Sequence, residues 1–186
     1  RLANPISSDL AVMRASLFPG LIRALEYNLN RQQTRVRLFE TGLVFRGDLD
    51  ELDQTPMVGA LVCGERLPEG WAGSRDKVDF FDLKGDLESL IALGGEEHAW
   101  RFEPGEHSAL HPGQCARVVF RGEPVGWIGA LHPAVKAELG LKAEVYLFEV
   151  RQDALTHGSL PAFEPLSRYP EVRRDLAFLL DEGRPV

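Results

Sequence analysis

The sequence predicts an α+β domain, an antiparallel sheet packed with helices on one side. Three observations carry that expectation. Short apolar or alternating segments follow one another at hairpin spacing instead of alternating with helices, the pattern of antiparallel and not βαβ sheets. Two longer segments repeat apolar residues at helical spacing. Of 186 residues, 44% are hydrophobic, enough to bury a core without covalent help.

Residues 1–16 read as an extended leading segment, with Asn4-Pro5 and Ser7-Ser8-Asp9 as turn formers. Ser16 is placed to cap a helix running to about Arg31, with Pro19 in its first turn and Leu17, Phe18, Leu21, Ile22, Leu25 and Leu29 along one face. Arg35 to Arg46 reads as a strand in which Val36 and Leu38 alternate with charge and Gly42 suggests a bulge. After an acidic loop, Met57 to Cys63 forms a strand apolar enough to be buried on both faces, and the polar loop Glu65 to Lys77 holds Trp71 as its aromatic anchor. Asp82 is set to cap a helix with Leu83, Leu87, Leu90 and Ile91 on its inner face, stopped at Gly94-Gly95. Strands follow at 99–103, 116–120, 125–131 and 145–150, with Gly122-Glu123 as a hairpin turn. A short helix at 133–139 starts after His132 with a proline and ends at Gly140. Residues 156–170, with Gly158, Pro161, Pro165 and Pro170, read as a linker, and Asp175 to Leu180 as a last strand.

The formal charge of −7 argues against wholesale nucleic-acid coating, which needs a basic excess. Cys63 and Cys115 are too few for a disulfide scaffold, and the first residues contain no apolar signal segment, so a reducing, cytoplasmic setting is expected. No stretch is long and apolar enough to span a membrane.

Candidate chemistry is sparse. His107, His111 and Cys115 stand four apart and are of zinc-ligand type, yet Pro112-Gly113 breaks any helix that would align them, and a fourth ligand would have to come from Cys63 or farther away. A tight turn into a strand is the better reading, and no metal is expected. The acidic run 48–53 lacks the glycine and terminal glutamate of a calcium loop, and Asp79, Asp82 and Asp86 suit a helix start. Phosphate-cradling loops and a nucleophile elbow are absent. Arg31, Arg35 and Arg37 cluster, as do Arg168, Arg173 and Arg174 beside Tyr169; an arginine set with an aromatic suits RNA, although charges flanking strands are usually a solvated edge.

Several strings do more. Asn4-Pro-Ile-Ser-Ser-Asp9, Met13-Arg-Ala-Ser-Leu17, Asn28-Leu-Asn-Arg31, Arg37-Leu-Phe-Glu-Thr-Gly-Leu-Val-Phe45, Val78-Asp-Phe-Phe-Asp-Leu-Lys-Gly-Asp-Leu-Glu88, Leu110-His-Pro-Gly-Gln114, Gly126-Trp-Ile-Gly-Ala-Leu-His-Pro133 and Ser167-Arg-Tyr-Pro-Glu-Val-Arg-Arg-Asp-Leu-Ala177, in this order, resemble the beta subunit of bacterial phenylalanyl-tRNA synthetase. The resemblance implies that residues 1–160 are a class II synthetase-like module, an antiparallel sheet flanked by helices. It also implies that 161–186 are a linker and the first strand of a ferredoxin-like anticodon-binding domain. The enzyme of that family joins phenylalanine to its tRNA at the expense of ATP, with Mg, as an alpha2beta2 assembly whose active site lies in the alpha subunit.

The resemblance also allows the chain's own chemistry to be judged. Phe45-Arg46-Gly47-Asp48 comes close to the class II Phe-Arg-x-Glu motif, with aspartate for glutamate. The returning strand Met57 to Cys63 has no aromatic platform for adenine, and Val145 to Arg151 has the arginine of the third class II motif without its glycines, so side chains fill the nucleotide's volume. The expectation is a non-catalytic module, needing no cofactor of its own, that supports the alpha subunit. The resemblance places the subunit contact at the Pro19–Arg31 helix and the strand after it, with Leu21, Leu25, Asn28, Arg31, Arg37, Phe39 and Glu40 as candidate residues; core packing of Leu21, Ile22 and Leu25 is the alternative. Arg168, Tyr169, Arg173 and Arg174 are the candidate RNA contacts. Retained binding of ATP, an adenylate or tRNA by the module is the alternative function.

Overall fold

The computed structural model describes residues 4, 6, 11–48, 51–71, 75–158, 172–177 and 179. Helix α1 (Phe18–Leu29) leads into strands β1 (Val36–Arg46) and β2 (Asp53–Cys63), then helix α2 (Phe80–Ala92). A 3₁₀ turn at Glu97–Ala99 precedes β3 (Trp100–Pro104), β4 (Leu110–Phe120) and β5 (Glu123–Leu131). Helix α3 (Pro133–Glu138), strand β6 (Val145–Arg151) and helix α4 (Gln152–Thr156) complete the described elements. The strands form one sheet in the order β1-β2-β6-β5-β4-β3. Every pairing is antiparallel. The last strand thus enters between the first hairpin and the meander.

The sheet is covered on both faces, not one. Leu17, Phe18, Leu21, Ile22 and Leu25 pack with Val36, Val44, Met57, Leu61 and Leu147 on one side, and Leu83, Leu87 and Ile91 pack with Val118, Ile128, Phe148 and Val150 on the other. Two-sided burial explains why β6 has no polar alternation: six of its seven residues are buried.

Local chemistry moved several boundaries. The cap of α2 is Asp79, whose carboxylate accepts from the Asp82 amide while Asp82 accepts from the Asp79 amide, so the expected cap Asp82 is the third residue of a capping box. The hairpin turn is Arg121-Gly122, with φ of 52° and 86°, and not Gly122-Glu123. Pairing runs unbroken through Gly42, opposite Met57, and the register shifts fall between β4 and β5 instead. Gly42 is small because the Arg14 guanidinium lies where its Cβ would be, 2.0 Å away. Trp71 anchors nothing; its side chain is fully exposed. Residues 172–177 carry no strand pairing. Within the expected strand Asp175 to Leu180, residues 178 and 180 lie outside the described residues. A strand exists only by pairing, and none of the six strands pairs with the described residues 172–177. Among the described residues no helix is long and apolar enough to cross a membrane.

Candidate functional site

One register line crosses all six strands. Glu40 lies opposite Gly59, Gly59 opposite Glu149, Glu149 opposite Trp127, Trp127 opposite Arg117 and Arg117 opposite Glu103. Alternation along each strand puts this line on the α1 face, together with Met57, Leu61 and Leu147. Gly59 is where α1 comes closest: a Cβ there would stand 3.2 Å from Leu21 and 3.3 Å from Leu17.

The centre of the line is a buried carboxylate. Glu149 is 6% exposed. It accepts the Ser16 hydroxyl at 2.8 Å and the Leu17 backbone amide. The Ser16 oxygen in turn accepts the Phe18 amide at 3.1 Å. The first turn of α1 is therefore held by an anion supplied from the middle of the sheet, which satisfies donors the helix cannot use itself. Beside it lies a cavity of about 380 Å³ that Arg46, His107, Arg117, Trp127 and Arg151 help to line. The Arg117 guanidinium sits 5.3 Å from the Trp127 ring centre. Arg151 is occupied by Asp153, with Nε donating to the carboxylate at 2.9 Å, and this contact holds the Asp153 carboxyl below its ordinary range. Among the described residues Arg46 has no ion-pair partner. The His107 ring meets Phe18 and Trp127 at 5.8 and 5.3 Å, and burial holds its imidazole below its ordinary 6.5.

The residues expected at a subunit contact divide. Leu21 and Leu25 are 3% and 0% exposed, closed off by the chain's own core. The Asn28 amide donates to the Ala24 carbonyl at 2.7 Å. The rest reach the surface. The Arg31 guanidinium lies 3.3 Å from the centre of the Tyr27 ring, Arg37 bonds Asp86 at 2.8 Å, and Glu40 is paired with Arg14. Phe39 is 79% exposed on the rim of a groove of about 520 Å³ between β1–β2 and α2, floored by Val58, Ala60 and Phe148. The outer edge of β1 is partly occupied by the leading segment: Phe45 donates to the Arg14 carbonyl and Arg14 Nε donates to the Leu43 carbonyl, both at 2.8 Å.

The histidines of the metal candidate serve turns. His107 Nδ1 accepts from the Ala109 amide at 3.2 Å and His111 Nδ1 from the Gly113 amide at 2.9 Å. Among the described residues no group of three or more His, Cys, Asp or Glu is arranged to hold a metal. Burial pushes both the Cys63 and Cys115 thiols up. Arg173 and Arg174 are exposed, and Arg168 and Tyr169 lie outside the described residues. Ser16 enters the sequence reading only as a helix cap and Glu149 not at all; the available signal was one carboxylate inside the apolar run Val145 to Val150.

The geometry defines a class. The six-stranded antiparallel sheet flanked by helices is that of the class II aminoacyl-tRNA synthetases. A solved pyrrolysyl tRNA synthetase from Desulfitobacterium hafniense matches it with a TM-score of 0.51 at 13% identity, over 76% of this chain and 47% of that one. The family model "Phenylalanyl tRNA synthetase beta chain CLM domain" matches residues 1–151, and the chain belongs to that family. It is similar to phenylalanine–tRNA ligase beta subunits: 57% identical over 97% of the chain in Pseudomonas fluorescens, 54% over all of it in Pseudomonas putida and 47% over all of it in Nitrosococcus oceani. The chain spans 23%, 23% and 24% of those relatives, about a quarter of their length.

Proposed function

We propose that this chain is a non-catalytic structural module of a cytoplasmic phenylalanine–tRNA ligase, an ATP-dependent alpha2beta2 enzyme, and that it supports the alpha subunit. The observation that carries the reading is the Glu149 carboxylate at the floor of the one place where the class II-like arginines Arg46 and Arg151 converge. A nucleotide's phosphates need uncommitted cations there. Instead the floor carries a negative charge saturated by Ser16 and Leu17, and Arg151 is committed to Asp153. Arg46 and Arg117 stand beside it without ion-pair partners among the described residues, so the reading rests on the buried anion, and ATP–Mg belongs to the alpha subunit in this reading.

The contact surface is the exposed part of the expected set. Phe39 with its groove and the Arg37–Asp86 pair, on the α2 side of the sheet, form a surface with an apolar centre and a charged rim, the anatomy of a protein interface, while Arg31 stacks on Tyr27 on the α1 side. A second reading, retained nucleotide or adenylate binding, would rest on Arg46 and on Arg117 beside the Trp127 ring.

Two measurements test this. Titration of the chain with ATP–Mg by calorimetry should give no saturable heat; micromolar binding overturns the non-catalytic reading in favour of the second one. Phe39→Asp placed in the whole beta subunit should abolish co-purification with alpha and aminoacylation while the variant remains folded by circular dichroism. Full assembly of that variant removes the proposed contact. Retention of tRNA by the isolated chain, lost with added salt, would assign it the RNA contact that Arg173 and Arg174 suggest.

A further inference from the structure

A cavity of about 920 Å³ lies away from the Glu149 line, on the other face of the sheet, between the start of α2 and the β3–β4 connection. We infer that it is a binding site for a basic side chain, an arginine or lysine carried on a partner polypeptide. The inference does not depend on the non-catalytic reading and would stand if the chain bound ATP.

Four observations converge on a cation. The walls are the rings of Phe80, Phe81 and Phe102, and Phe81 is 73% exposed although it makes an edge-to-face contact with Phe80 at 5.5 Å. Aromatic faces attract ammonium and guanidinium groups, and the methylene stem of such a side chain covers the rings it crosses. The chain makes this contact itself, since Lys84 Nζ stands 4.6 Å from the centre of the Phe102 ring. The rim is acidic: Asp79 and Glu106 line the cavity, and among the described residues Glu106 has no ion-pair partner.

The floor supplies the fourth. Tyr146 is 7% exposed, lines the cavity, and its hydroxyl has no hydrogen-bond partner among the described residues. Burial first, then Glu144, Asp79 and Asp82, raise its pKa above the ordinary 10, so the group stays a neutral phenol whose oxygen can accept from a cationic N–H. A polypeptide fits better than a small amine for two reasons. The cavity runs beside residues 112–116 and, at about 920 Å³, exceeds the volume of one charged head group. The chain's charge of −7 favours a basic partner. Two of the strings singled out in the sequence, Val78 to Glu88 and Leu110 to Gln114, meet here and nowhere in the Glu149 cavity.

The test is titration of this chain with the peptide acetyl-Gly-Arg-Gly-Arg-Gly-amide and with its citrulline counterpart, which keeps the shape and loses the charge. Calorimetry should show saturable binding of the arginine peptide, with amide chemical shifts moving around Phe81, Phe102 and Tyr146. Phe81→Ala, Glu106→Gln and Tyr146→Phe should each weaken it by up to about tenfold, the size of one cation–π or charge-assisted contact. Phe81 and Glu106 are exposed, so these two variants fold, and Tyr146→Phe keeps the ring. Equal binding of the citrulline peptide, or no effect of the three variants, overturns the site. Binding of spermidine without binding of the peptide overturns the polypeptide assignment.

Discussion

The carboxylate of Glu149, in the middle of β6, accepts the backbone amide of Leu17 at the start of α1, two residues 132 positions apart. The Ser16 hydroxyl shares that carboxylate at 2.8 Å. A buried anion is tolerated only when its lone pairs are filled, and here they are filled by the donors a helix N-terminus leaves over. The contact fixes where α1 sits on the sheet, and with it the surface that Tyr27 and Arg31 present.

Glu149→Ala should therefore destabilise the chain by about 3 kcal/mol, because it orphans the Leu17 amide as well as removing two charge-assisted bonds. Glu149→Gln keeps an acceptor and the volume, and should cost about half as much. Urea unfolding measures both. Hydrogen exchange should show the loss concentrated in the first turn of α1, and equal exchange in variant and parent would contradict the role given to this carboxylate.

A second long-range pair holds the β4–β5 turn. Arg121 bonds Glu96 through Nε at 3.2 Å and Nη2 at 2.7 Å, and Glu96 is 8% exposed. Arg121 also has φ of +52°, a left-handed conformation that costs a non-glycine residue about 1–2 kcal/mol. Arg121→Ala keeps the strain and loses the pair, whereas Arg121→Gly loses the pair and relieves the strain. The glycine variant should thus be the more stable of the two by about 1 kcal/mol in chemical denaturation. Equal stabilities would mean that the turn carries no strain.

The same two contacts mark what the sequence conveyed and what it did not. Helix α1, the strand at β1 and the α3 helix with its leading proline and Gly140 stop were legible because their signals are local: apolar spacing, a proline in the first turn, a glycine at φ +65°. Asp79 and Asp82 were both read as helix-start residues, but which of them caps depends on a reciprocal pair of bonds that spacing alone leaves open. Glu149 and Glu96 were invisible because their partners lie across the fold, in Ser16, Leu17 and Arg121. The surface set was half legible. Helical spacing put Leu21 and Leu25 on one face without saying that the face is inward, while Phe39 on an alternating edge strand is left outside the core.

His107 makes stability depend on pH. Burial holds its pKa below 6.5, partly opposed by the Glu149 charge, and its neutral Nδ1 accepts the Ala109 amide. The unfolded chain titrates near the ordinary value of about 6.5. Above that pH the imidazole is neutral in both states and the contribution is complete. As pH falls below 6.5 the unfolded chain binds the proton first, so stability declines until the folded pKa is passed. The His107 ring should titrate below 6.5 by NMR, and His107→Phe, which keeps an aromatic against Phe18 and Trp127, should flatten this limb of the stability curve. A ring titrating at or above 6.5 would refute the burial argument.

Two glycines should respond oppositely to alanine. Gly126 lies in β5 directly against β6, where a Cβ would stand 2.1 Å from the Glu149 carbonyl oxygen and 2.7 Å from the Val150 Cα. Both are backbone atoms of a paired strand and cannot step aside, so Gly126→Ala must push β5 off β6 at the centre of the sheet. The cost should reach about 3 kcal/mol or more, within the range of severe overpacking. Gly85 sits inside α2 with nothing within 4 Å of its would-be Cβ. Alanine there removes backbone freedom from the unfolded chain and adds no clash, so Gly85→Ala should stabilise by about 0.5–1 kcal/mol. Thermal unfolding of the two single variants and their combination decides the matter. The sites lie on different elements with no shared contact given for either glycine, so the double variant should show the sum of the two shifts. A stable Gly126→Ala protein would mean that β5 and β6 are not packed at the spacing on which the Glu149 register line depends.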